Sequence, residues 1–136
     1  MTEASVAEMA GMYGGRHGSG APPRAAEFEP PDGIFLLAQL DGESVGCGGL
    51  ARFDASTAEI RRMYVVPEAR GRRIARAVLD ALLDRARGAG YARVRLETGF
   101  AQQAAIRLYE QAGFTPIPCW GPYATDERSI CLELEL

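Results

Sequence analysis

One stretch of this chain gathers what an anion would need. Residues 65–79 read VVPEARGRRIARAVL. A strand ends, a short loop carries Arg70, Gly71, Arg72 and Arg73, and a helix follows. Unpaired N–H groups at a helix start, with the positive end of the helix dipole, attract phosphate. Gly71 lets the backbone approach closely, and Arg70, Arg72, Arg73 and Arg76 add charge. The loop is no P-loop, because no Gly-Lys-Ser/Thr follows, and it lacks the Gly-x-Gly-x-x-Gly of dinucleotide sites. The same arginines would equally make a solvated helix face.

The elements that must position this loop follow from periodicity. Residues 34–40 (IFLLAQL) read as a strand, Asp41 and Gly42 as a turn, and 44–53 as the returning strand. Gly46, Gly48 and Gly49 mark a bulge or a close backbone approach in it. A third strand covers 58–66 and stops at Pro67. Apolar residues then recur at helical spacing over 72–88. Strand alternation returns over 92–98, a second helix covers 101–112, and strands begin at 114 and at 129. The strand at 58–66, its helix and the strand at 92–98 make a right-handed βαβ unit with parallel strands; the remaining sheet is antiparallel. Residues 3–13 read as a short helix, with Val6, Met9 and Tyr13 on one face. Residues 14–33 read as a mobile Gly/Pro-rich loop in which His17 is a solvated side chain.

Composition narrows the function classes. A chain of 136 residues, 47% hydrophobic and 24% charged, makes one domain spanning 1–136, with its core over 34–136. No apolar run approaches the ~18 residues of a membrane span, and no secretory signal is read. Residues 1–60 hold three arginines and nine acids; residues 61–100 hold ten arginines and four acids. That local basic centre suits one anionic partner rather than broad nucleic-acid binding. Cys47 and Cys131 lie in apolar segments and read as buried small hydrophobes. One His and three Cys offer no zinc set, so no metal is expected, and the cytoplasm is the default compartment.

Two motifs, about thirty residues apart, resemble the GNAT superfamily of acyl-CoA-dependent N-acyltransferases. EIRRMYVVPEARGRRIARAVL is similar to the family's fourth strand and pyrophosphate loop, whose pattern is Arg/Gln-x-x-Gly-x-Gly/Ala. AAIRLYEQAGF, residues 104–114, is similar to its later helix and Leu-Tyr-x-x-x-Gly-Phe ending. The element order matches from residue 34 onward. The implied fold is a mixed, mostly antiparallel α/β sheet with a central splayed parallel pair and flanking helices. Two departures stand out. Arg73 occupies the middle glycine of the loop pattern, and Gln102 replaces a common Asn. No strand is read before residue 34, so the family's first strand is missing from this reading.

The resemblance implies acetyl-CoA as co-substrate and direct acetyl transfer to a primary amine of a small molecule or peptide. Pantetheine would pair with the backbone of Met63, Tyr64 and Val65, as an added strand does. The pyrophosphate would sit on N–H groups of residues 71–76, Ile74 and Ala75 among them; Gln102 and Ala105 complete the donor site. Tyr109 matches the family's general acid, although helical spacing alone makes it a core residue. Glu59 is the candidate base, with a surface ion pair as its other reading. Glu97 is the second candidate or an acceptor contact. Cys119, Trp120 and Tyr123 would wall the acceptor pocket or simply pack on the core. By analogy, the last strand would pair across a homodimer. Two other classes stay open: a non-catalytic acyl-CoA-binding or regulatory module, suggested by Arg73, and a nucleic-acid binder using the Arg-rich helix. The latter lacks base-stacking aromatics, and Asp80 and Asp84 interrupt its charge.

Overall fold

The computed structural model describes residues 5–8 and 33–136. Seven strands form one sheet: β1 (Ser5–Glu8), β2 (Ile34–Leu40), β3 (Glu43–Arg52), β4 (Thr57–Val65), β5 (Arg93–Gly99), β6 (Thr115–Ile117) and β7 (Ser129–Glu135). Their order is β1-β2-β3-β4-β5-β7-β6. β4 and β5 run parallel, joined by helix α1 (Ile74–Gly88), and the other neighbours are antiparallel. Helix α2 (Gln103–Gln111) joins β5 to β6. The mixed sheet with a central parallel pair is therefore the one expected.

The expectation for the N-terminus is corrected. Residues 5–8 form a strand, not a helix, and pair antiparallel with β2, Val6 opposite Ala38. The strand expected to be missing is thus present. Its four residues carry too little pattern to register as a strand, and edge pairing overrides their helical spacing. The remainder of the expected helix, residues 14–32 of the expected 14–33 loop, and His17 within it lie outside the described residues.

The core forms on one face of the sheet. Ile34, Leu36 and Ala38 of β2, Leu50 of β3, Ile60 of β4, Val94 and Leu96 of β5 and Leu132 of β7 are buried there. α1 meets them with Ile74, Val78, Leu79, Leu82, Leu83 and Ala86, a stripe at helical spacing. Gly48 lets the helix sit close. A Cβ there would lie 2.8 Å from Val78 Cγ1 and 3.0 Å from Leu82 Cδ1. Gly48 thus marks both a close approach to the helix and the irregularity in the β3–β4 register, the two readings its sequence suggests.

On the opposite face the alternating charges pair across strands. Arg93 faces Glu135 and Arg95 faces Glu133 in the β5–β7 ladder. The ion pairs measure 2.9 and 3.5 Å. Among the described residues, no helix is long and apolar enough to cross a membrane.

Candidate active site

β4 and β5 are paired only at Thr57 with Arg93, Ala58 with Val94 and Glu59 with Arg95. Beyond Glu59 they part, and the gap opens into a cleft of about 1030 Å³. Met63, Tyr64 and Val65 line one wall; Leu96, Glu97 and Thr98 line the other. α2 adds Ala105, Leu108 and Tyr109, preceded by Gln102. Arg70, Gly71, Arg73, Ile74, Ala75 and Arg76 line its basic end.

The β4 wall carries a bulge. Cys47 pairs with Tyr64, but Gly49 pairs with Arg61, so Arg62 and Met63 together oppose Gly48. Arg62 has φ 61°, a left-handed value that a bulge accommodates. The Cys47 thiol donates to the Arg62 carbonyl at 3.4 Å, and burial pushes that thiol up while the Arg62 charge opposes it. A bulge re-aims backbone groups, and this one sits midway along the cleft wall.

The basic end is built from left-handed backbone. Gly71 has φ 84° and Arg73 φ 62°, and Arg73 is the N-cap of α1 with no side-chain cap. The first turn of the helix therefore keeps its N–H groups for a ligand. The glycine pattern has a physical origin here. Position 73 adopts the conformation glycine favours, and the arginine carries roughly 1–2 kcal/mol of strain in it. The Arg70 Nε donates to Val65 O at 3.0 Å, and its guanidinium lies 5.7 Å from the Tyr64 ring centre. Arg76 pairs with Asp80 at 3.0 Å.

Tyr109 is held by the end of its own helix. The Gly113 N–H donates to Glu110 O, and the Phe114 N–H to Tyr109 O, both at 3.0 Å. With Gly113 at φ 106°, this is a Schellman cap. Its customary apolar contact is Tyr109 against Phe114, with ring centroids 5.7 Å apart. The Leu-Tyr-x-x-x-Gly-Phe spacing is thus the spacing of a helix stop that fixes the tyrosine. Tyr109 is 5% exposed, and desolvation pushes its phenol up to about 12.

The two carboxylates differ. Glu97 lines the cleft and accepts a hydrogen bond from Ser129 Oγ at 2.8 Å. Glu59 stands at the fork of the two strands, 4.0 Å from Arg61 Nε, and does not line the cleft.

Cys119, Trp120 and Tyr123 also lie away from the cleft lining. Trp120 and Phe53 meet at 5.9 Å, and Trp120 and Tyr123 at 5.8 Å, both edge to face. The Arg95 guanidinium rests 4.2 Å from the Phe53 ring centre and 4.5 Å from that of Trp120. Cys131 is buried as expected but is not free: it forms a disulfide with Cys119, their Cα atoms 5.2 Å apart. The β6–β7 register sets Ile117 against Cys131 and brings Cys119 within reach, which linear spacing does not reveal.

Thirteen of the eighteen expected site residues line the cleft; Glu59, Arg72, Cys119, Trp120 and Tyr123 do not. Sequence reasoning missed Arg61, Arg62 and Arg107 on its walls. Arg62 carries no sequence flag for its bulge. Arg107 carries none either, since residues two apart on a helix do not share a face and Tyr109 therefore does not point to it.

The family model described as "Acetyltransferase (GNAT) family" matches residues 7–114. An "IAA acetyltransferase" of Azospirillum brasilense is 41% identical over 107 residues, covering 78% of this chain and 70% of that protein. Other relatives are longer: the chain spans 56% of one and 35% of another. A Klebsiella pneumoniae structure assigned as an acyl-CoA N-acyltransferase superposes with TM-score 0.81 at 28% identity, over 98% of this chain and 97% of that one. A GNAT acetyltransferase from Elizabethkingia anophelis, solved with acetyl-CoA bound, shares the fold at TM-score 0.70 and 20% identity, over 98% of both chains.

Proposed function

Since the chain belongs to the GNAT acetyltransferase family, we propose that it moves the acetyl group of acetyl-CoA directly to a primary amine of a small molecule or peptide. The observation that carries this reading is the parting of β4 from β5 between a cationic helix start and a buried tyrosine. The open β4 edge can receive pantetheine amides as a further strand at Met63, Tyr64 and Val65. The first turn of α1, with Arg70, Arg73 and Arg76, suits the pyrophosphate. Acetyl-CoA supplies an activated thioester; the chain supplies position and protons.

A backbone N–H on β4, at the Arg62 bulge, would polarise the acetyl carbonyl. Tyr109 holds its proton at all working pH values, because its phenol is raised to about 12. Donation to a thiolate of ordinary pKa ~8.5 is uphill. The dry surroundings that raise the phenol also raise the basicity of a thiolate formed beside it, which narrows the gap. Glu97, within the cleft, is the carboxylate that can meet the acceptor ammonium and draw its proton. Glu59 would act from the fork through water.

Thermal stabilisation by acetyl-CoA, CoA and 3′-dephospho-CoA tests the donor site. A hundredfold excess over Kd stabilises by about 2.7 kcal/mol, and thiol release with an amine panel then identifies the acceptor. Binding without turnover on any amine would favour a regulatory acyl-CoA module, which the left-handed Arg73 in the phosphate turn already suggests. No stabilisation by any of the three would refute both.

A further inference from the structure

We propose that the acceptor is a free amino acid, its carboxylate held by Arg61 and its ammonium turned to Glu97. This rests on the acetyltransferase reading and narrows its acceptor from primary amines at large. The last rung of the β4–β5 ladder sets Glu59 against Arg95. Side chains alternate along a strand, so two residues further on Arg61 and Glu97 share one face and stand level across the opening. Both line the cleft, one cationic and one anionic. Each is steadied from its own side of the gap: Arg61 Nε lies 4.0 Å from Glu59 Oε2, and Glu97 Oε2 accepts from Ser129 Oγ at 2.8 Å.

The place of this pair matches the thioester end of the donor. Arg70, Arg73 and Arg76 stand at the other end, beyond Val65. The strand from Arg61 to Val65 spans roughly 10–13 Å, so Arg61 lies too far from the phosphate turn to hold the pyrophosphate. Among the described residues that line the cleft, Glu97 is the one acid, and Arg62 and Arg107 add further cations. A polyamine or a basic peptide would bring more positive charge into that surplus, and an amine without a carboxylate would leave it unanswered. A zwitterion answers both signs. The neighbouring strand is roughly 4.8 Å away at a rung and further off beyond it, which admits the few heavy atoms between an amino acid's two charges. The Arg61 side chain is 22% exposed, so its guanidinium is poorly hydrated, and with its fork of donors it is not exhausted by one carboxylate.

The transfer balances on these groups. Glu97 takes one proton from the ammonium and passes it to solvent, and the neutral amine attacks the acetyl carbon. The N–C bond forms, the C–S bond breaks, and Tyr109 gives its proton to the departing thiolate. The proton that the nitrogen then sheds returns through water to Tyr109. An N-acetyl amino acid and CoA leave, with one proton released. Arg61 holds the carboxylate throughout, because that group keeps its charge while the amine loses its own.

The test measures thiol release from acetyl-CoA, alongside the Kd for CoA. The panel holds α-amino acids with small, apolar, acidic and basic side chains, the α-amide of each, simple alkylamines and spermidine. An acid and its amide differ at the carboxylate alone. The expected kcat/KM for the best amino acid exceeds that for its amide by roughly tenfold to a hundredfold, as a charge-assisted hydrogen bond implies. Arg61→Gln should bring that ratio to near one, chiefly through a higher KM for the amino acid, with the Kd for CoA unchanged. Arg61→Lys, which keeps the charge and loses the fork, should recover part of the ratio. Where these variants do not fold, the panel on the natural chain decides. Amides or carboxylate-free amines consumed as well as the amino acids overturn this proposal and leave the acetyltransferase reading standing. A ratio that survives Arg61→Gln overturns it in the same way. CoA binding without thiol release on any member, or no CoA binding at all, overturns the acetyltransferase reading and this acceptor with it.

Discussion

Replacing Tyr109 by phenylalanine removes one oxygen from a buried ring and leaves the Phe114 contact and the helix cap intact. Two magnitudes follow. If the phenol protonates the departing thiolate, its loss should lower kcat by roughly 10²–10⁴, the usual yield of a positioned acid. The Kd for acetyl-CoA should hold, because the phosphate turn and the β4 edge are untouched. The second magnitude is a stability that depends on pH. The folded phenol titrates near 12 and an unfolded tyrosine near ~10. Below pH ~10 both states keep the proton, and the raised value contributes its full stabilisation. As pH rises from ~10 to 12, the unfolded chain loses its proton first and the difference disappears. Two units correspond to about 3 kcal/mol. Urea unfolding of both proteins from neutral pH to pH 12 measures it. The natural chain should lose about 3 kcal/mol more than Tyr109→Phe over that interval, and its pH–rate profile should show no limb from this phenol below pH ~11. An unchanged kcat would remove Tyr109 as the acid, and parallel stability curves would refute the argument from burial.

Four further outcomes are expected. Gly71→Val forces a branched side chain to φ 84° and should weaken CoA binding by roughly tenfold, read by calorimetry, with about 1–2 kcal/mol lost from the fold. Arg73→Gly relieves the strain at φ 62° against a smaller entropic cost of ~0.4–1 kcal/mol. Its Tm should therefore rise slightly, and a lower Tm would show that the arginine side chain stabilises the turn by more than the strain it carries. Glu97→Gln keeps the bond from Ser129 and should depress kcat/KM more than Glu59→Gln does; the reverse order would return the base to the fork. Leu82→Ala opens a cavity beneath Gly48 and should cost about 2–5 kcal/mol by urea unfolding.

The phosphate turn and the Tyr109 helix were legible because each is a local device. A strand, a glycine turn and a helix start lie within fifteen residues, and the Schellman cap fits within six. Leu82 and its stripe were legible from helical spacing, and Arg93 and Arg95 from alternation. What escaped was non-local. Ser5–Glu8 becomes a strand only because β2 offers an edge. Cys119 meets Cys131 only through the register of a three-residue strand. The Arg62 bulge arises from a mismatch between two strands, and neither strand shows it alone. Glu97 stands behind Glu59 as candidate base in the sequence because the family resemblance favours a carboxylate on the central strand, and only the opening of the ladder separates the two.

The three-rung ladder between β4 and β5 has a mechanical consequence. The sheet is in effect two panels, one of four strands and one of three, latched at Thr57 through Glu59 and backed by α1. A thioester laid along the open edge supplies rungs that the chain itself lacks. The ligand then works as a seam, and part of its binding free energy goes into making the panels unfold as one. Amide exchange in β5 and β7 should slow on saturation with CoA, although the phosphate turn lies on the far panel.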